Sequence, residues 1–274
     1  MGAVIVALLV RLLGVGLLFF LGFLVERRWP ADRQKSTSRR LNTVHAVIFE
    51  AVDVSLGAYI AVAVASLIAK LPFTGMIPLG ADRGHFWIAI PLTLFGVIVA
   101  DFFYYWFHRL QHASPWLWAE HEVHHSDESV NMTTALRHHW LERPLYSVFI
   151  TLPMSIIFKP PMLTVATAVI LSNLPGYFVH MNARIRFGWL NYLFASPQSH
   201  RVHHSKLPQH IDKNFAVTFA LWDIIFGTYY HPSEDEWPST GLASGKRVLS
   251  VTEALVLPFI SWRGMIAERL HKAP

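Results

Sequence analysis

Residues 3–25 are apolar almost without interruption, Arg11 being the exception, and the run is long enough for a helix that crosses a hydrocarbon core of about 20 residues. Residues 46–69 repeat the pattern with smaller side chains and carry Glu50 and Asp53 near one end, and residues 86–107 form a third run. A fourth, 145–179, is broken by Lys159, Pro160 and Pro161 into halves that are each short for a span, so it predicts a helical hairpin. Residues 215–230 and 251–270 instead mix apolar and charged positions and predict elements that lie at an interface. The pattern as a whole predicts an all-α, multi-span helical membrane protein with about five crossings, or four plus a re-entrant hairpin. It divides into a transmembrane part, 1–100, a histidine-rich central part, 101–230, and an interfacial tail, 231–274.

Composition agrees with lipid as the solvent. Of the 274 residues 53% are hydrophobic and 15% charged, whereas soluble domains carry about 25% charged residues. The formal net charge of +5 does not form a nucleic-acid stripe, because the basic residues gather at the ends of apolar runs. Arg27, Arg28, Arg33, Lys35, Arg39 and Arg40 follow directly on the first run, as expected of a cytoplasmic loop. With that loop inside, alternation of the crossings puts residues 108–139 and 180–204 on the cytoplasmic side, as a histidine-rich helical cap. Cysteine is absent, which excludes disulfides, cysteine-held zinc and iron–sulfur clusters, and leaves any metal to nitrogen and oxygen ligands.

The 16 histidines are not scattered. His108-x-x-x-His112, His121-x-x-His124-His125 and His200-x-x-His203-His204 place imidazoles at helical spacing, where positions i, i+3 and i+4 share one face and can converge on one or two metal ions. At this histidine content, roughly 0.05 copies of HxxHH would arise by chance, and the chain has two. His45, His85, His210, His231 and His271 have no partner at helical spacing and read as polar surface groups. If His139 and His180 also point inward, ten imidazoles meet two ions that together offer about twelve ligand positions, leaving room for dioxygen or a bridge. Such neutral ligation needs carboxylates nearby to balance charge, and Asp101, Glu120, Glu142 and Asp223 are the candidates. The consecutive aromatic residues from Phe102 to Phe107 form an interfacial belt or line a route for substrate.

His121-Glu122-x-x-His125 also fits the zinc-protease pattern HExxH, but the second HxxHH has Arg201 where that chemistry needs a glutamate. The chain has no phosphate-binding loop, no nucleophile elbow and no dinucleotide fingerprint. A zinc-dependent membrane hydrolase and a metal-binding or transport protein are the alternatives in other functional classes. A transporter would put its ligands at mid-membrane, whereas here they sit at the ends of the runs.

From about residue 101 to 229 the chain resembles the fatty acid hydroxylase and sterol desaturase superfamily. The resemblance lies in Asp101 before His108-Arg109-x-x-His112, in His121 to Ser126, in the TALRHHWLE stretch ending at Glu142, and in Phe178-Val179-His180-Met181-Asn182. It continues in Pro197 to Ser205, in Asn214-Phe215 and in Trp222 to Tyr229. It implies a di-iron centre of two iron ions held by His108, His112, His121, His124, His125, His139, His180, His200, His203 and His204, with His138 a neighbour rather than a ligand. Asp101 and Glu142 are the carboxylates it implies for catalysis. It further implies hydroxylation or desaturation of an unactivated C–H bond in a lipid, with dioxygen and electrons from a separate reductase or small carrier. A pterin-using branch exists in the family. The compartment expected is a bacterial inner membrane before the endoplasmic reticulum, because no retrieval ending of the lysine or KDEL type is present.

Overall fold

The computed structural model describes residues 2–72, 77–78, 86–159 and 174–272, and it is helical as the apolar pattern predicts. Helix α1 (Gly2–Arg28) closes with Arg27 and Arg28 in its last turn, where cations complement the helix dipole, and Pro30 prevents its continuation. Helix α2 (Ser36–Ile68) runs back beside it. Among the described residues, Val4–Arg28 is the one helix long and apolar enough to cross a membrane, or one of two if Ser36–Gly57 and Val62–Ile68, bent by 44°, form a single span. The side chains of α1 are largely exposed, with Leu13 at 74% and Val10 at 64%, which suits lipid as their surroundings. A Cβ at Gly22 would overlap Met132 Sδ, so that glycine allows α1 to approach the turn at Met132–Leu136 closely.

Helix α3 (Phe86–Ala113) carries the third apolar run and the first histidine pair, and Pro115 starts the short α4 (Pro115–His125) at the position where a proline is tolerated. Residues 119–125 of α4 are all buried. The chain then forms a 3-10 turn at Met132–Leu136 closed by a reciprocal cap between Asn131 and Thr134. Helix α5 (Glu142–Tyr146) passes through a wide turn at Ser147–Thr151 into α6 (Leu152–Ile157). The apex of the expected hairpin, 160–173, lies outside the described residues, as does His85. Helix α7 (174–179) brings the chain back to His180. The all-helical expectation needs one addition, a two-residue parallel pairing of β1 (Ile77–Pro78) with β2 (Phe158–Lys159).

Helix α8 (Pro197–His203) has Pro197 in its first turn and a reciprocal cap between Ser196 and Ser199, which fixes where the second HxxHH enters. Helix α9 (Leu221–Ile225) is a single turn, and α10 (Val251–Lys272) packs on α4 through Trp262, whose Nε1 donates to Trp116 O at 2.8 Å.

Buried arginines join these pieces. Arg137 donates to Val123 O, Asn42 Oδ1, Ser126 Oγ and Val248 O at 2.8–3.0 Å, which ties α2, α4 and the start of the C-terminal segment together. Arg201, inside the second HxxHH, turns away from the histidines to Pro238 O at 2.9 Å and Asp32 Oδ2 at 3.2 Å. Removing the Arg137 guanidinium would strand four buried acceptors at once, and removing that of Arg201 would strand the Pro238 carbonyl, which makes each a positional anchor for the histidine it neighbours.

Candidate metal centre

Helices α3, α4 and α8 converge so that nine of the histidines form two groups. His108, His112, His121, His125 and His203 make one group of five, and His124, His180, His200 and His204 a group of four, with ligand atoms in each within 4.8 Å of one another. Each HxxHH is split. His121 and His125 of α4 enter the first group and His124 the second, whereas on α8 His203 enters the first and His200 and His204 the second. Residues four apart on a helix differ by only about 40° in direction, and the residue between them falls off to the side by about 60° to 100°, so one short helix serves two neighbouring points.

Several rings are oriented from behind. His108 Nδ1 donates to Phe215 O at 2.8 Å, His203 Nδ1 to Lys213 O at 2.8 Å and His180 Nδ1 to Gly176 O at 2.6 Å. His112 Nδ1 faces Asp212 Oδ1 at 3.3 Å. With Nδ1 donating to a carbonyl, Nε2 of a neutral ring is a bare lone pair. His180 Nε2 nonetheless lies 3.0 Å from His124 Nε2, 3.1 Å from His200 Nε2 and 3.2 Å from His204 Nε2. In the other group His125 Nε2 is 3.1 Å from both His112 Nε2 and His203 Nε2. Two nitrogens bound at right angles to one ion at ~2.1 Å stand roughly 3.0 Å apart, so these separations are those of ligands around a shared cation. His108 Nε2 and both nitrogens of His121 are buried without a hydrogen-bond partner, as a ligand set would leave them. The residues therefore fit metal ions.

Burial, and then the neighbouring imidazoles, push the pKa of His121, His124, His125, His203 and His204 well below the ordinary histidine value. His180 is brought down to about 4, mainly by burial. Neutral imidazole is the form a metal requires.

His139 does not join either group. Its Nε2 donates to Leu255 O at 3.1 Å and its ring lies against Trp140 and Phe259. Its neighbour His138 faces the centre instead, stacked on His124 with ring centroids 4.3 Å apart, and it forms a third close set with His121 and Glu142. The chain is irregular between the turn at Met132–Leu136 and α5, so adjacent residues there face opposite ways, and helical spacing gives no guide.

The carboxylates separate by task. Gln111 Nε2 donates to Glu142 Oε2 at 2.8 Å and to Glu120 Oε2 at 3.2 Å, which gathers two buried carboxyls beside His121. Burial raises both pKa values above the ordinary carboxylate range, and the adjacent Glu142 raises Glu120 further. Asp101 instead accepts from the backbone N–H groups of Thr218 and Phe219 at 3.2 and 3.0 Å, and Asp223 from those of Phe215 and Ala216 at 2.8 Å each. These two aspartates hold the strand of chain whose Phe215 carbonyl orients His108. Glu122 lies outside the centre, bound to Lys246 Nζ and Ser261 Oγ at 3.2 Å each, which is incompatible with the HExxH role.

Two of the histidines expected at the surface are buried. His210 is enclosed between Ser205 Oγ and Glu236 Oε1, at 2.9 Å each, and His45 is 1% exposed on α2. For His210 the partner that encloses it, Glu236, is 26 residues away, which helical spacing does not register. A cavity of about 110 Å3 opens against the centre, bordered by His138, Glu142 and His180, with Phe49, Val97, Ala100 and Leu136 among its apolar walls.

Comparison with known proteins agrees with this geometry. The family description "Fatty acid hydroxylase" matches residues 93–228. The alkylglycerol monooxygenase of Xenopus tropicalis is 37% identical over 143 residues, 52% of this chain and 31% of that protein. The human alkylglycerol monooxygenase is 37% identical over 134 residues, 49% of this chain and 29% of that protein. The chain thus corresponds to about a third of the length of these relatives. An ornithine lipid hydroxylase of Rhizobium tropici is 27% identical over 245 residues, which cover 86% of this chain and 71% of that protein. No solved structure matches the chain.

Proposed function

Because the chain belongs to the fatty acid hydroxylase family, we propose that it is a membrane-bound di-iron oxygenase that hydroxylates or desaturates an unactivated C–H position of a lipid. The observation that carries this reading is the pair of converging imidazole groups beside one cavity. In it, His108, His112, His121, His125 and His203 hold one iron, and His124, His180, His200 and His204 the other. His139 is left to its bond with Leu255. The irons, when bound, supply the activation of dioxygen toward a C–H bond.

The chain's own residues do the rest. Phe215 O, Lys213 O, Gly176 O and Asp212 set the direction of His108, His203, His180 and His112. Gln111 holds the Glu120 and Glu142 carboxyls together beside His121, which places groups able to exchange protons where the reaction consumes them. For hydroxylation, R–H + O2 + 2 electrons + 2 protons gives R–OH and water. The apolar walls around Phe49, Val97, Ala100 and Leu136 exclude bulk water from the reacting bond.

The relatives named for alkylglycerol and ornithine lipid make a lipid with a polar head the substrate class in this reading. Electrons come from a separate donor protein, for which the basic segment after α1 is the docking candidate. A cytoplasmic centre is supported by the same basic segment, and a bacterial inner membrane by the relative from Rhizobium tropici. Iron-loaded protein given a lipid extract, a reductant and 18O2 should place one labelled oxygen in a lipid hydroxyl, or consume dioxygen while forming an alkene. Lipid products carrying oxygen from labelled water alone would contradict the reading and favour hydrolysis.

A further inference from the structure

The cavity beside the histidines is apolar in outline, yet it has more hydrogen-bond donors than the protein uses. Tyr104 of α3 and Tyr146 of α5 both line it, and neither hydroxyl takes part in the side-chain hydrogen bonds of the described residues. Arg143 lines it too, three residues before Tyr146 and so on the same face of α5. Its Nε stands 3.1 Å from Asp53 Oδ1 without hydrogen-bond geometry, and the guanidinium rests over the Phe49 ring at 4.7 Å.

Arg143 is also electrically balanced, which decides what it can bind. Asp53 is shared with Arg11 of α1, and Arg11 reaches Glu50 at 3.3 Å, so two arginines and two carboxylates form one network at the depth of the apolar helices. Ionisable groups at that depth are costly unless paired, and they mark sites of function more often than sites of stability. A neutral network of this kind does not call for an anionic guest. It leaves N–H donors free for neutral oxygen acceptors.

We infer that the cavity is a donor cradle for the oxygen-bearing end of a lipid, with Tyr104, Tyr146 and Arg143 as its donors, so that the carbon offered for oxidation lies within a few bonds of that end. This deepens the oxygenase reading and rests on it. A plain hydrocarbon in the same space would bury these donors unpaired. At about 110 Å3 the cavity has room for only a small part of a lipid. It therefore encloses the reacting end of the lipid and leaves the tail outside, which makes the head, and not the chain length, the feature selected.

The test compares binding of radiolabelled 1-O-hexadecylglycerol and hexadecane to the metal-loaded 274-residue chain in detergent micelles, without reductant so that no turnover occurs. The wild type should prefer the glycerol ether. Tyr104→Phe and Tyr146→Phe, which keep the rings and remove only the hydroxyls, should each weaken ether binding about threefold to tenfold and leave hexadecane binding unchanged. Equal affinity for the two probes, or Phe variants that bind the ether as the wild type does, would overturn the cradle. Turnover by iron-loaded protein separates this from the reading beneath it. If hexadecane is oxidised as fast as the ether, the cradle fails and the oxygenase stands. If neither is oxidised while the binding preference persists, the oxygenase reading fails and the cradle stands.

Discussion

The two histidine groups are built from the same helices but held in different ways. In the group of five, the chain at 212–215 clamps three rings from behind, through Asp212, Lys213 O and Phe215 O. In the group of four, only His180 has such a partner, and the Nδ1 atoms of His124, His200 and His204 are buried without one. The group of four lines the cavity directly through His180, whereas the group of five reaches it through His138 and Glu142, which lie close to His121. One group thus has more rings and more clamps, while its neighbour has fewer of both and lines the cavity through His180. With about six positions on each ion, the group of five would leave one place open and the group of four two.

The largest effect expected is loss of turnover from either side. His203→Ala in the group of five and His200→Ala in the group of four should both reduce dioxygen consumption to background, with helical content by circular dichroism unchanged. Substantial activity in one of them would mean that only the other group carries the chemistry. Next comes the adjacent pair at the cavity. His138→Ala should lower kcat by about 10- to 100-fold with little change in Tm, whereas His139→Ala should keep kcat and cost about 1 kcal/mol of stability through its lost bond to Leu255. The reverse pattern would restore His139 to the centre.

A smaller effect sharpens the contrast in clamping. Asp212→Asn keeps a side chain that tolerates the positive φ of 58° at this position but weakens the partner of His112. Affinity for one ion should fall by about tenfold while the other is untouched, as chelator titration would resolve. A uniform loss of both ions would show that the groups are not independent. The smallest effect belongs to Glu122→Gln, which keeps an acceptor for Ser261 and loses only the charge opposite the partly exposed Lys246. It should change stability by less than about 1 kcal/mol and leave metal content and turnover as they were.

Much of this centre is legible in the sequence because helices translate spacing into direction. HxxxH and the two HxxHH boxes sit on α3, α4 and α8, and eight of the nine grouped histidines are the motif histidines. The apolar run at the N-terminus likewise declares α1 without help from packing. The division of each box between two groups is less visible, since it depends on where α4 and α8 meet. The exchange of His138 for His139 is not visible at all, because the backbone there is irregular and Arg137, anchored to Val123, Asn42, Ser126 and Val248, sets the direction of the two histidines after it. The roles of Asp101 and Asp223 are hidden for a related reason: their partners are backbone N–H groups of a loop, which no side-chain motif records. The cavity is assembled from α2, α3, α5 and α7, so its donors at Tyr104, Arg143 and Tyr146 appear as a set only after folding.

The central claim is that the two groups hold two ions. Elemental analysis of detergent-purified protein from iron-supplemented cells, kept reduced, tests it most directly when the wild type is compared with His200→Ala and His203→Ala. The account predicts about two irons per chain in the wild type and about one in each variant. A single zinc that survives replacement of His200, His203 and His204 together would contradict it and return the chain to the hydrolase class.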